Sequence, residues 1–121
     1  MYVPSIDIFE ITAFGELLSS KIIARILSEH VESCIYKDSK DLIITNGDFT
    51  KAEVLFKETN NNIVSFQDKN NANVTVLGGY ISANAQGDVT TLGRGGSDYS
   101  AAIYAAALNA EVLEIWTDVS G

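Results

Sequence analysis

From Ser5 to Glu29 the apolar residues Ile6, Phe9, Ala13 and Leu17, then Leu18, Ile22 and Ile26, recur at helical spacing. Gly15 interrupts the pattern, which predicts two helical pieces. Pro4 and Ser5 suit the start, and His30 suits the far end, where an imidazole meets free carbonyls. Val31–Tyr36 and Leu42–Thr45 read as strands joined by the polar turn Lys37-Asp38-Ser39-Lys40-Asp41, and Asn46-Gly47-Asp48 marks a tight turn. Lys51–Lys57 fits no single period. The stretch Thr59–Asn73 carries asparagine at 60, 61, 62, 70, 71 and 73 around the apolar run Ile63-Val64-Ser65-Phe66, which predicts a short helix with loose ends. Val74-Thr75-Val76-Leu77 is β-branched like a buried strand and leads to Gly78-Gly79-Tyr80. Ser82–Thr91 is a polar loop with room for a short hairpin. Ala101–Ala110 is rich in alanine like a helix, and Val112–Trp116 reads as a last strand ending in Thr117-Asp118. Strands separated by helices predict a mainly parallel sheet covered on both faces.

At 121 residues and 46% hydrophobic content the chain is sized for one domain, with no repeat and no proline-rich linker to divide it. A formal charge of −8, from 16 acidic and 8 basic residues, argues against nucleic acid, because the basic residues are scattered. A loop of backbone amides with one arginine still makes a local positive site in an acidic protein. Cys34 is the only cysteine, so an internal disulfide is excluded; the thiol reads as structural, and a reducing, cytoplasmic setting is expected. There is no membrane-length apolar run and no secretory signal pattern.

The run Leu92-Gly93-Arg94-Gly95-Gly96-Ser97-Asp98-Tyr99-Ser100-Ala101-Ala102 carries the densest chemistry. It lies between predicted strand and predicted helix. Its glycines let the backbone approach a ligand closely, Ser97 suits a helix cap, and the first-turn amides suit oxygen anions. Arg94 adds a forked cation matched to a carboxylate or phosphate; its plainer reading is a surface arginine paired with an acid such as Asp88. Ligands of parallel sheets bind beyond the carboxyl ends of strands, where Tyr80, Arg94 and Thr117-Asp118 all fall.

Leu92–Ala102, followed by Glu114-Ile115-Trp116-Thr117-Asp118-Val119 and preceded by Gly15-Glu16-Leu17-Leu18-Ser19-Ser20, resembles the catalytic domain of aspartate kinase, in the amino-acid kinase family. The resemblance runs along nearly the whole chain. It implies a three-layer αβα sandwich, with residues 1–121 as the central and C-terminal part of the catalytic domain, truncated at both ends. It also implies transfer of the ATP γ-phosphoryl group to the side-chain carboxylate of L-aspartate, giving 4-phospho-L-aspartate and ADP on the way to lysine, threonine and methionine. ATP is the co-substrate, with Mg2+ held through its phosphates. By resemblance Glu16 holds the substrate ammonium and Arg94 its α-carboxylate. Gly95, Gly96 and Ser97 supply amides and a hydroxyl, and Tyr80, where the family commonly has phenylalanine, supplies an aromatic wall. Asp98 is the catalytic carboxylate, orienting a lysine or the magnesium shell near the phosphates. Thr117 and Asp118 meet adenine and ribose. No general base is required, since the attacking carboxylate is already ionised at neutral pH.

The family's Lys-Phe-Gly-Gly-Thr-Ser-like phosphate-binding segment is not found in these 121 residues. The expectation is therefore a fragment, inactive alone, that self-associates through an uncovered sheet edge as a homo-oligomer. Another amino-acid kinase, acting on glutamate, acetylglutamate, carbamate or uridylate, and a non-catalytic anion-binding α/β module remain as alternatives. A Rossmann dinucleotide site is disfavoured, because residue 98 is not glycine.

Overall fold

The structure, a computed structural model, describes residues 5–47 and 52–117; within the first helix the side chains of 5–10 and 12 are outside the description. The expected break at Gly15 does not occur. Helix α1 runs unbroken over Ser5–Leu27. Gly15 costs about 1 kcal/mol relative to alanine inside a helix, but Ala13, Ser20 and Ala24 on the inward side are buried, and packing overrides that local penalty. These small side chains bring α1 against β1 (Cys34–Lys37), β2 (Val74–Leu77) and β4 (Val89–Thr91). Its outer side leaves Ile11, Phe14, Leu18, Ile22, Ile23 and Ile26 exposed.

Strands β1 and β2 pair in parallel with Cys34 opposite Val74 and Lys37 opposite Leu77. A 3-10 turn follows β1 at Ser39–Asp41, held at its start by the Asp38 carboxylate, which accepts from the Lys40 N–H. The expected strand Leu42–Thr45 is reduced to single bridges, Ile44 to Ala83 and Thr45 to Val54. Ser82–Thr91 resolves as the hairpin it had room for: β3 (Ile81–Ala83) and β4 pair antiparallel, with Ile81 opposite Thr91.

Helix α2 spans Phe56–Lys69, longer than the asparagine-rich sequence suggests. Thr59 and Ile63, one turn apart, are both buried. Thr59 Oγ1 takes the Ile44 N–H at 3.0 Å, Asn62 donates to the Leu42 carbonyl, and Asn70 donates to the Phe66 carbonyl. The asparagines thus serve as docking groups and end the helix. Helix α3 runs over Gly96–Ala107. Residues 112–116, expected as a strand, are exposed and form no strand among the described residues. Val112 and Ile115 have no partner strand among the described residues to bury against, and propensity alone does not make a strand.

Two apolar clusters form. The larger joins Leu42, Ile43, Ile63, Ile103 and Tyr104, with Val54, Phe66, Leu77, Leu92 and Ala107 packed around them. The smaller joins Ala13, Ile81 and Val89, with Tyr80 alongside. Helix α1 covers the strands from one side and α2 with α3 from the other, so the fold is the expected α/β sandwich. No described helix is long and apolar enough to cross a membrane.

Candidate active site at the glycine turn

The turn after β2 is where the site residues meet. Glu16, half-buried on the inward side of α1, accepts the Gly79 N–H through Oε1 at 3.0 Å. Tyr80 follows at φ 53°, in the left-handed region that an aromatic residue seldom occupies. Its N–H donates to Ser100 Oγ at 2.8 Å, and the Ser100 hydroxyl donates to the Gly96 carbonyl at 2.8 Å. The Leu92 N–H donates to the Tyr80 carbonyl, so the strand ends that carry Tyr80 and Arg94 leave the hairpin side by side.

Close approach explains two of the glycines. A Cβ on Gly79 would lie 2.7 Å from Ser97 Oγ, and one on Gly96 would lie 2.7 Å from Tyr80 Cβ. The start of α3 therefore sits directly on the Gly78-Gly79-Tyr80 turn. One correction concerns the cap: Gly95, at φ 74°, occupies the N-cap position without a side-chain bond. Ser97 is inside the first turn, pressed against Gly79, because the loop enters the helix through the left-handed backbone of Gly95, which glycine adopts without steric cost.

Burial pushes the Tyr80 hydroxyl above its ordinary pKa, with the Glu16 charge adding to it. Tyr36 is pushed up to about 12 by burial, then by Asp38, Asp41 and Glu16. Both phenols stay protonated at neutral pH around the Glu16 carboxylate. Glu16 Oε2 accepts no hydrogen bond from the described residues.

The structure thus brings together Glu16, Tyr80, Gly96 and Ser97. Arg94 and Gly95 lie on the exposed loop one residue from that cluster, and among the described residues Arg94 forms no ion pair within 4 Å; the pairing with Asp88 is not made. Asp88 instead accepts from Asn84 within the hairpin. Asp98 is exposed in the first turn of α3. Thr117 lies on the exposed segment 112–117, and Asp118 is outside the described residues. Among the described residues no group of three or more His, Cys, Asp or Glu converges to hold a metal. Ser100, which carries the contact between turn and helix, was not singled out by sequence reasoning; its place four residues after Gly96, one helical turn on, was the available signal.

A carboxylate, an arginine loop and a glycine-started helix thus gather around one strand end on an α/β sandwich. The chain belongs to the amino acid kinase family, whose sequence profile matches residues 8–121. It is 35% identical over 113 residues to the lysine-sensitive aspartokinase 3 of Escherichia coli, covering 93% of this chain and 25% of that protein. It is 38% identical over 108 residues to the bifunctional aspartokinase/homoserine dehydrogenase of Buchnera aphidicola, covering 88% of this chain and 13% of that protein. The crystal structure of Escherichia coli aspartokinase III in complex with aspartate and ADP superposes with a TM-score of 0.88 at 33% identity, over 100% of this chain and 27% of that one. The chain therefore spans a quarter or less of the length of these two curated relatives.

Proposed function

We propose that this chain carries the L-aspartate-binding part of an aspartate kinase. The observation that supports it best is the Glu16–Gly79 hydrogen bond, which parks a carboxylate beside the glycine start of α3 with one oxygen unspent. Glu16 Oε2 takes the substrate ammonium, the Arg94 fork takes the α-carboxylate, and the Tyr80 ring walls the carbon chain. The side-chain carboxylate of aspartate then attacks the γ-phosphorus of ATP. The bond to the β–γ bridging oxygen breaks, ADP leaves with the electron pair, and no proton has to be removed. Asp98 orients the magnesium-bearing phosphates, and Thr117 with Asp118 contacts the nucleoside. Magnesium, when bound with ATP, neutralises charge developing on the phosphoryl oxygens.

The likeness to aspartokinases along the same residues supports aspartate over glutamate, acetylglutamate or carbamate. The apolar outer side of α1 supports self-association, read by light scattering as a mass above that of the monomer. The direct test is titration of the 15N-labelled chain with L-aspartate and with succinate, which has both carboxylates but no ammonium. Saturable shifts at Gly79, Tyr80 and Gly93–Ser97 with aspartate, weaker with succinate and lost in Arg94→Ala, are expected. Equal response to both ligands, or none to either, overturns the reading. Aspartate-dependent ADP release by these 121 residues alone is expected to be absent, since among the described residues Arg94 is the one basic residue placed at the site.

A further inference from the structure

We infer that Ser39 and Tyr104 are positioning residues for the Glu16 carboxylate, acting on it through the single peptide unit between Gly78 and Gly79. This rests on the reading of Glu16 as the ammonium-binding group, and neither residue belongs to the glycine motifs. Tyr104 Oη donates to Ser39 Oγ at 2.8 Å, and the Ser39 hydroxyl donates in turn to the Gly78 carbonyl at 2.6 Å. The other end of that same peptide unit, the Gly79 N–H, donates to Glu16 Oε1.

A trans peptide is planar, with its C=O and N–H pointing in opposite directions. Fixing the carbonyl on Ser39 therefore aims the N–H at Glu16. The constraint matters here because the unit lies between two glycines, whose backbones rotate with little steric resistance. Left alone, the plane would turn, and Glu16 would lose the donor that holds its Oε1 and presents Oε2. The relay is built to last: Ser39 is 1% exposed and Tyr104 9%, so water does not compete for either hydroxyl. Burial also pushes the Tyr104 hydroxyl up to about 12, against the opposing effect of its bond to Ser39. It remains a donor at any physiological pH. The three partners come from three places, the 3-10 turn after β1, the turn after β2 and the last half of α3, so the relay ties the Glu16 carboxylate to the larger apolar cluster, of which Tyr104 is a member.

The experiment compares the whole chain with its Tyr104→Phe and Ser39→Ala variants by 15N–1H spectra, amide hydrogen exchange and ligand titration. Each variant is expected to speed exchange of the Gly79 amide by about tenfold, the equivalent of one neutral hydrogen bond, while Ile35 and Val76 in the paired strands keep their rates. The preference for L-aspartate over succinate is expected to fall several-fold, with succinate affinity unchanged. A Gly79 amide unaltered in the folded Tyr104→Phe variant overturns the inference, as does exchange that accelerates equally at all three amides. Should Ser39→Ala fail to fold, Tyr104→Phe, which keeps the ring and its packing, decides alone. If the unmodified chain shows no preference for aspartate over succinate, the proposed function fails; the Gly79 exchange rate then still decides whether the relay holds the peptide.

Discussion

The cluster around Ile63 and the region around Glu16 are built from different materials. In the first, Leu42, Ile43, Ile63 and Ile103 close on one another with almost no exposure, and the energy is that of apolar burial. In the second, the buried apolar anchors among the described residues are Ala13, Ile81 and Val89, and the contacts that matter are a carboxylate, serine hydroxyls and glycine Cα atoms at van der Waals distance. Apolar packing is non-directional and tolerates small adjustments. Hydrogen bonds and glycine contacts are directional and tolerate few. The molecule keeps its stability in one region and its geometry in the other, linked through Tyr104.

Substitutions separate the two. The largest expected loss of stability is Ile63→Ala, about 3 kcal/mol in denaturant unfolding because a cavity replaces a 2% exposed side chain; a loss under 1 kcal/mol would dissolve the distinction between the regions. Gly79→Ala comes next, at about 2 kcal/mol, since its Cβ would meet Ser97 Oγ at 2.7 Å and the Ser97 Cα at 3.1 Å, where backbone must shift. Here the Glu16 contact, read at the Gly79 amide, should be lost with it. The third effect is alkaline. The Tyr104 pKa is raised from 10.0 to about 12, first by burial and then by Asp38 and Tyr36, so its contribution is complete below pH 10. It falls away by about 2 kcal/mol as pH climbs toward 12, because the unfolded chain releases that proton first. Tyr104→Phe should reduce this slope in a pH series of unfolding curves, leaving the part due to Tyr36, and an unchanged slope would refute the assignment. Smallest for stability is Arg94→Ala, within about 0.5 kcal/mol for an exposed side chain, with L-aspartate affinity nonetheless reduced tenfold or more. An equal loss of stability would make Arg94 structural.

Much of the second region was legible from residue order, because glycine spacing and a lone arginine are local signals. The strand Val74–Leu77 and the alanine-rich helix also stand where expected. What escaped was decided by distant partners. Gly15 was read as a break because its cost is local, whereas the inward packing of Ala13, Ser20 and Ala24 is not. The asparagines around Ile63 predict only a short helix with loose ends, whereas Thr59 and Asn62 meet the backbone of 42–44 and extend it. Ser97 looked like a cap, yet the left-handed backbone of Gly95 took that place. Val112–Trp116 has the composition of a strand but stands exposed, with no partner strand among the described residues. Ser39 gave no local sign, being a serine in a polar turn whose partner lies 65 residues away.

The β3–β4 hairpin has Tyr80 at one foot and Arg94 just past the other, while its tip closes on itself through the Asn84 side chain, which accepts from the Gln86 and Asp88 amides. Tip and feet are therefore chemically separate. A fluorophore carried at the exposed Gln86 would ride on the same hairpin that has Tyr80 and Arg94 at its feet. It would report their motion without touching either, making the hairpin a ready-made lever arm for testing the proposed amino-acid binding.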